Sequence, residues 1–307
     1  MTGGTGFVGS NIVHEALSAG HEVLTTFNSY HPTGRELYGL EAIDMIDARA
    51  VAAGVRSFRP DVVIHCAIVN DLRSLYLDRR AAWDAYVEST RATAGAASGA
   101  GASYVLVSTD WVFDGTQGGA DESTPPNPIN LYGVLKLAAE VVALERGGAV
   151  ARVSGVNGIH RARPSAPRAQ DPGYGYFVAS IIDRLSLGRP FTVWESDRIN
   201  MVATPSLASE SAEMILAIGA LGLTGVFHCC GADGIGRMDL ARLACEVFDL
   251  DLDLLRSGPP DPSAMPGAPV PYDTTITSPR TSELLGRRPT PIRCLLERFR
   301  DEYRAKS

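Results

Sequence analysis

A glycine pattern at the start of the chain restricts its fold more than any other feature of the sequence. Residues 2–9 read TGGTGFVG, which matches TGxxGxxG, and they run directly into a segment with helical spacing of apolar residues. Glycines let the backbone turn sharply and approach a pyrophosphate, and the helix that follows offers unpaired N–H groups to the anion. The pattern predicts a dinucleotide-binding loop, with a ligand-free glycine turn as the alternative. Its predicted contacts are Gly3, Gly6, Phe7, Val8 and Gly9.

The sequence after this loop alternates between predicted helices and short apolar runs of the kind found in buried parallel strands. The predicted helices are 10–19, 48–58, 79–99 and 132–145, and the predicted strands are 21–26, 42–45, 62–66, 103–108 and 150–154. This alternation predicts a doubly wound parallel sheet.

The dinucleotide-binding pattern expects a strand before its glycines, but only Met1 precedes Thr2. That strand is central in a doubly wound sheet, so its loss would expose the edges of its neighbours. The sequence therefore predicts a true start upstream of Met1. The alternative is a sheet that lacks this strand and binds its cofactor less stably.

Beyond residue 155 the alternation loosens, and two proline-rich stretches, 160–175 and 258–273, read as loops. The further predicted elements are helices 177–187, 206–221, 238–248 and 292–306 and strands 191–194 and 225–229. We predict an α/β chain with a Rossmann-type doubly wound parallel sheet and a smaller C-terminal α/β cap that binds substrate. Residues 1–154 would form the cofactor domain, and residues 155–307 mostly the cap, with segments returning to the sheet.

The composition of the chain argues against several classes of function. The 307 residues carry a net charge of −7, which disfavours nucleic-acid binding. No apolar stretch reaches the roughly 18 residues of a membrane span, and no signal peptide opens the chain. The five cysteines show no zinc spacing, and His65, on a buried strand, is interpreted as a core residue. The sequence predicts a soluble, cytoplasmic protein without a metal.

The end of the second strand bears on cofactor choice. NAD enzymes place a carboxylate about 20 residues after the glycines to bind the ribose 2′-hydroxyl, and this sequence has none there. NADP is therefore favoured over NAD, because a guanidinium binds a 2′-phosphate well. The predicted partners of that phosphate are Asn28, Ser29, His31 and Arg35. Asp44 and Met45 would contact the adenine, with a helix N-cap as the alternative role for Asp44.

Tyr132 and Lys136 form a YxxxK pair whose spacing places both side chains on one helix face. A phenol has an ordinary pKa near 10, and a neighbouring ammonium is expected to lower it. The same lysine is expected to bind a ribose hydroxyl of the cofactor. Tyr132 would then donate a proton to a carbonyl oxygen while a nicotinamide delivers hydride to its carbon.

With these features the chain resembles the extended short-chain dehydrogenase/reductase family. STDWVFDG at 108–115 is similar to the STDYVFDG segment of its dTDP-4-dehydrorhamnose reductases, and further similar stretches lie at 60–67, 127–140, 225–231 and 274–286. The resemblance implies that Thr109 binds the substrate oxygen, Tyr132 is the acid and Lys136 tunes it. It also implies cofactor contacts at Cys66 and Ala67, and substrate contacts at Ser108, Asp110, Trp111 and Val112.

Several residues depart from the family pattern. Trp111 replaces the usual tyrosine, and Tyr86 stands where many relatives carry a structural asparagine. The Asp-Glu pair of the related dehydratases is incomplete, because Trp111 follows Asp110. Arg161, Arg163 and Arg168 lie in an unusual loop. Arg161 is a candidate contact for a nucleotide diphosphate, with a solvated loop as the alternative.

The resemblance implies NADPH-dependent reduction of a nucleotide-linked 4-keto-6-deoxysugar, with hydride going to C4 and a proton coming from Tyr132. A nucleotide sugar is the expected partner, with a homodimer as one possible assembly and no nucleic acid or membrane. Two alternatives remain open at this point. One is a non-catalytic NADP-binding regulatory subunit, and the other is a reductase or epimerase of a different ketone.

Overall fold

The structure is a computed structural model that describes residues 1–27, 39–69, 71–163 and 169–306. Its strands are β1 Leu24–Phe27, β2 Gly39–Ala42, β3 Val62–His65, β4 Ser103–Thr109, β5 Ala149–Val153, β6 Val156–Asn157, β7 Phe191–Trp194, β8 Val202–Ala203, β9 Ser206–Leu207, β10 Gly225–Cys229, β11 Ile235–Gly236, β12 Leu255–Gly258 and β13 Asp273–Thr274. Its helices are α1 Phe7–Ser18, α2 Ala48–Phe58, α3 Leu72–Leu77, α4 Arg79–Trp83, α5 Ser89–Ala100, α6 Leu131–Glu145, α7 Phe177–Leu185, α8 Ala208–Ala220, α9 Arg237–Phe248, α10 Pro279–Leu285 and α11 Ile292–Lys306. The predicted α/β class is confirmed.

Parallel strands in the order β10-β5-β4-β3 form the largest sheet of the described chain, and β1 pairs with β2 in parallel. Met1 and Thr2 lie between these two sheets. The Met1 carbonyl accepts from the Thr26 N–H, and the Thr2 N–H donates to the Ile64 carbonyl at 2.9 Å. Two residues thus hydrogen-bond to both β1 and β3 at the position where the sequence pattern expects a full strand.

Helices cover both faces of the largest sheet. Alternate residues of each strand point to opposite faces and pack against different helices. On one side Ile64, Val105 and Val107 pack with residues of α1 and α8. On the other side Val63 and Leu106 pack with residues of α5 and α6. Helices on both faces of a parallel sheet are the doubly wound arrangement that the apolar runs predicted.

The later part of the chain contributes to this sheet and also builds a core of its own. Strand β10 pairs with β5, and α8 packs against α1. A second apolar core joins α7, α9 and α11 around Phe177, Leu240 and Phe299, and β7 pairs in parallel with β12 beside it. The division into a cofactor domain and a cap stays a prediction.

Several predicted bounds are wrong. The helix predicted over 79–99 is interrupted by a π-helical segment, Asp84–Glu88, between α4 and α5. The strand predicted over 42–45 ends at Ala42, because a turn follows in which Asp44 accepts from the Ile46 N–H. Helix α1 begins at Phe7, so it starts inside the glycine pattern rather than after it.

No helix within the described ranges is both long and apolar enough to cross a bilayer.

Candidate functional site

The glycine loop has the geometry that a bound pyrophosphate needs. Gly3 adopts a φ of +67°, and a Cβ there would lie 2.8 Å from the Ala67 Cα. A Cβ at Gly9 would overlap the Gly3 carbonyl oxygen. Helix α1 starts after Gly6 with no side-chain cap and no acidic residue in its first turn. These residues fit a dinucleotide, because no side-chain cap competes with an anion for the N–H groups of Phe7 and Val8.

Thr2 fixes this loop to the end of β3. Its Oγ1 accepts from the Cys66 and Ala67 N–H groups at 3.2 and 3.3 Å, and it lies 2.7 Å from His65 Nδ1. The other ring nitrogen, Nε2, lies 3.2 Å from Ser89 Oγ. Burial lowers the pKa of His65 to about 3, so the ring is neutral. The interpretation of His65 as a satisfied core residue is confirmed.

The residues predicted to select the cofactor lie after β1 and around Asp44. Asn28, Ser29, His31 and Arg35 lie outside the described residues, as does Arg168. Asp44 is exposed, and its proposed alternative role as a helix cap is wrong. The N-cap of α2 is Asp47, which accepts from the Arg49 and Ala50 N–H groups. Met45 lies beside β1, with its Sδ 4.0 Å from Thr26 Oγ1.

Helix α6 carries the Tyr-Lys pair, as predicted. The Tyr132 ring meets two other rings nearly at right angles, Tyr86 at 6.1 Å and Trp111 at 5.9 Å between centroids. Lys136 is only 4% exposed and donates to the Val107 carbonyl at 2.9 Å. Gly133 has to be small, because a Cβ there would overlap the Trp111 carbonyl oxygen. The close approach of α6 to Trp111 holds Tyr132 at the end of β4.

The two pKa shifts in this pair have one main cause, which is burial. Burial raises the pKa of Tyr132, and a hydrogen bond with the Thr109 side chain opposes that rise. The expected lowering by Lys136 is not found. Burial lowers the pKa of Lys136 to about 8, against the opposing effect of Cys66 and Glu140. At neutral pH the site therefore holds a neutral phenol and an ammonium, the forms that suit a proton donor and a cationic partner.

Cys66 joins the glycine loop to the Tyr-Lys pair. Its thiol interacts with the Gly9 N–H and with the charge of Lys136, and burial raises its pKa to about 11. The charge of its thiolate form would also raise the pKa of Tyr132. The predicted cofactor residues at the end of β3 and the predicted catalytic residues on α6 are thus brought together in one site.

Of the four predicted substrate residues within 108–112, one borders the site and the other three are buried. Trp111 is half-buried beside Tyr132. Asp110 is buried and accepts from the Thr109 and Ser154 hydroxyls. Val112 is fully buried in the core. Ser108 is buried too, and its hydroxyl donates to Glu140 at 2.5 Å, because alternation along β4 turns it toward α6.

The sequence reasoning missed a buried ionic cluster behind the site. Arg152 donates to both carboxylate oxygens of Glu140, at 3.0 and 2.7 Å, and its guanidinium lies 3.4 Å from His228 Nε2. His228 Nδ1 lies 2.7 Å from the Thr277 carbonyl. Glu140 follows Lys136 by four residues, so the helical spacing that relates Tyr132 to Lys136 also relates Lys136 to Glu140.

Arg161, the predicted diphosphate contact, forms an ion pair with Glu302 of α11 at 3.4 Å. Its role toward substrate stays a prediction. Next to it, the rings of Phe7, His160 and Tyr176 form a cluster at the start of α1, with Phe7 and Tyr176 centroids 4.4 Å apart. Tyr176 was not predicted from the sequence, and nothing in the local pattern marks it.

No metal site accompanies these groups in the part of the chain that the structure describes. Nowhere in it do three or more His, Cys, Asp or Glu side chains gather closely enough to hold a metal ion.

Comparison with known proteins adds three relationships. A family model described as the RmlD substrate binding domain matches residues 1–304. Methionine adenosyltransferase 2 subunit beta of Bos taurus is 27% identical, over 95% of this chain and 84% of its own length. The crystal structure of a hypothetical dTDP-4-dehydrorhamnose reductase from Sulfolobus tokodaii is similar with a TM-score of 0.75 and 26% identity, over 94% of this chain and 96% of that one.

A further solved structure supports the fold alone. The dTDP-4-dehydrorhamnose reductase of Bacillus anthracis, solved in complex with NADP, has a TM-score of 0.75 and 21% identity. The similarity covers 98% of this chain and 97% of that chain. The Rossmann-type sheet of the sequence prediction is therefore confirmed.

Proposed function

The chain belongs to the RmlD substrate binding domain family, and from that membership we propose that it is an NADPH-dependent reductase of a nucleotide-linked 4-keto-6-deoxysugar. The observation that carries the proposal is the meeting of two features at Cys66. One is the uncapped start of α1 behind the glycine loop, and the other is the pairing of Tyr132 with Lys136 on α6. A dinucleotide loop beside a buried phenol and an ammonium is an arrangement for carbonyl reduction.

Each residue has a defined task in this proposal. When bound, the nicotinamide cofactor supplies hydride to C4 of the sugar. Tyr132 donates its proton to the carbonyl oxygen, and the Lys136 ammonium stabilises the phenolate that remains. Thr109 orients the same oxygen. Its hydroxyl now donates to Asp110 at 3.0 Å, so it must turn away from that carboxylate when it donates to substrate.

The proposed cofactor is NADPH. The loop geometry suits a dinucleotide, and the sequence directly after β1 has no carboxylate for a ribose 2′-hydroxyl. The Bacillus anthracis structure, which contains NADP, supports the preference by fold alone. A cytoplasmic location and a homodimer also stay predictions of the sequence.

A sweep of substrates tests the proposal. Purified protein is mixed with NADPH or NADH and with each of a set of nucleotide-linked ketosugars, including dTDP-4-keto-6-deoxyglucose and its 3,5-epimer. The near-ultraviolet absorbance of the reduced cofactor reports turnover. We expect oxidation of NADPH with at least one 4-keto-6-deoxysugar, and no oxidation with any of them would overturn the proposed substrate class.

A second candidate function is a non-catalytic NADP-binding subunit of a larger enzyme. The similarity to methionine adenosyltransferase 2 subunit beta favours it. The presence of Thr109, Tyr132 and Lys136 in one site favours the reductase, because a pure binding protein has no need of an acid beside an ammonium. The two candidates differ in what a Tyr132→Phe variant does, since only the reductase loses an activity.

A further inference from the structure

We propose that Tyr86 is a positioning residue for the Tyr132–Lys136 pair: the face of its ring supports the Lys136 ammonium while the ring packs at right angles to Tyr132. The role in turnover rests on the proposed reductase function. The contacts themselves are independent of it.

The contacts of Tyr86 define this role. Lys136 Nζ lies over its ring at 5.6 Å from the centroid, within the range of a cation–π interaction. Its ring meets Tyr132 at 83°, with 6.1 Å between centroids. Its hydroxyl donates to the Val69 carbonyl at 2.7 Å, and the residue is 2% exposed. One ring therefore contacts both proposed catalytic side chains and is held at its far end.

The backbone around Tyr86 is also fixed. The residue lies in the π-helical segment, a rare conformation that is often found at functional sites. The Thr90 hydroxyl donates to the Tyr86 carbonyl at 2.6 Å, and the Ser89 hydroxyl donates to the Ala85 carbonyl at 2.6 Å. Side-chain hydroxyls thus satisfy carbonyls of the wider π turn and hold the ring in place.

The composition of the chain makes Lys136 unusual. Of 28 basic residues only two are lysines, Lys136 and Lys306, and the other 26 are arginines. Arginine stays charged at any ordinary pH, whereas a buried lysine changes its pKa readily. A lysine in the site therefore needs surroundings that keep it protonated.

Few groups around Lys136 offset the effect of burial. Among the described residues, the titratable groups beside it are His65 at the end of β3, Cys66 directly after that strand, Tyr86 itself, and Glu140 and Tyr132 from its own helix. His65 is neutral, and Glu140 is already engaged by Arg152. The electron-rich face of Tyr86 adds an attraction that acts on the ammonium only, so it favours the protonated form.

The two-lysine composition allows a direct test. Protein labelled with carbon-13 at the lysine side chain gives two NMR signals, and the one that Lys136→Arg removes belongs to Lys136. We expect the pKa of Lys136 to fall by about one unit in Tyr86→Leu, because the ring's attraction for the cation is lost. Tyr86→Phe keeps the ring and should leave that pKa within about 0.3 units of the wild type.

Two controls separate this effect from loosened packing. Tyr104→Leu removes another buried tyrosine, whose hydroxyl bonds Thr93, and should leave the titration of Lys136 unchanged. If Tyr86→Leu does not fold, phenylalanines with increasing fluorine content at position 86 keep the shape and weaken the ring face stepwise. The pKa of Lys136 should then fall stepwise. An unchanged pKa across Tyr86→Leu or across the fluorinated series overturns the proposal.

The titration contains neither cofactor nor substrate, so it is separate from the test of the reductase. A normal shift in Tyr86→Leu together with no turnover of any ketosugar would leave the Tyr86 contact standing and remove the proposed function. Turnover of a ketosugar, together with an unchanged pKa of Lys136 in Tyr86→Leu, would overturn the proposed role of Tyr86 and leave the reductase function standing.

Discussion

At Gly9, one added methyl group would clash with the backbone of the glycine loop. Gly9 lies in the first turn of α1, and its Cβ position is taken by the Gly3 carbonyl oxygen. Gly3 in turn packs against the backbone of Ala67. A side chain at Gly9 therefore pushes the loop away from the end of β3, where Cys66 meets the Tyr-Lys pair.

We predict that Gly9→Ala lowers the affinity for NADPH at least about tenfold, a loss of about 1.4 kcal/mol in binding free energy. Isothermal titration calorimetry measures it. Gly95→Ala is the matched control, because it lies in α5 with no atom within 4 Å of the added Cβ. That control should bind NADPH normally and gain about 0.5–1 kcal/mol of stability from its better helix propensity. Equal affinities in both variants would contradict this view of the loop.

The residues that could be predicted from the sequence are those whose position follows from local spacing. Tyr132 and Lys136 are four apart, so any helix over them places them together. Ser108 could not be placed in the same way, because the side of the sheet that it faces depends on what packs there. The sequence shows that Tyr86 departs from the family pattern. It does not show the contact with Lys136, because Tyr86 lies in a π-helical segment that the spacing of apolar residues does not reveal.

Helix α6 connects the proposed catalytic pair to the buried cluster behind it. Tyr132, Lys136 and Glu140 follow one another at intervals of four, and Arg152 of β5 holds Glu140. The side chains of Arg152 and Glu140 are nearly inaccessible to water, at 3% and 1% exposed. A buried ion pair adds little net stability but is costly to break, because the remaining charge is left without a partner.

At this pair we predict that Arg152→Met lowers the free energy of unfolding by about 3–5 kcal/mol. The double variant Glu140→Leu/Arg152→Met should recover most of that loss, because neither member of the pair is then left buried without the other. Urea unfolding measures both. The exposed pair of Arg293 and Glu246, at 2.7 Å, is the control, and Arg293→Met should cost less than about 1 kcal/mol. If Arg152→Met also lowered the free energy of unfolding by less than about 1 kcal/mol, the buried ion pair would not be costly to break.

Elements with a clear apolar period were predicted well, and those defined by pairing or turns were not. Helix α6 and strand β4 agree with the prediction within one residue. Strand β9 was included in a predicted helix, because its two residues are extended only through pairing with β6. Helix α10 was not predicted, although Pro279 in its first turn and Gly286 at its C-cap are typical of helix ends. The carboxylate of Glu122, distant in sequence, also accepts from the Thr281 N–H in its first turn.

Two of the buried histidines that the structure describes, His65 and His228, are held in the neutral form. Burial lowers the pKa of His65 to about 3, and burial together with the charge of Arg152 lowers that of His228 to about 4. Unfolding exposes both rings and returns their pKa to about 6.5. Between these values the unfolded chain binds more protons than the folded one, so stability falls as the pH falls.

We predict a loss of up to about 1.4 kcal/mol of stability for each histidine and each pH unit as the pH decreases from about 6.5 toward 4. Urea midpoints measured from neutral to acid pH give the slope. His65→Gln and His228→Gln should each flatten it, whereas His21→Gln, an exposed position, should not. A slope that neither buried substitution changes would contradict the assignment.

The proposed function requires that one site binds NADPH and uses Tyr132 to protonate a carbonyl oxygen. Both properties are measured on the same samples of wild type and Tyr132→Phe, as NADPH binding and as ketosugar turnover. We expect the variant to bind NADPH with an affinity close to that of the wild type and to lose at least about 100-fold in kcat. Full turnover in Tyr132→Phe, or a wild type that binds NADPH and reduces no nucleotide-linked ketosugar, would contradict the proposed function.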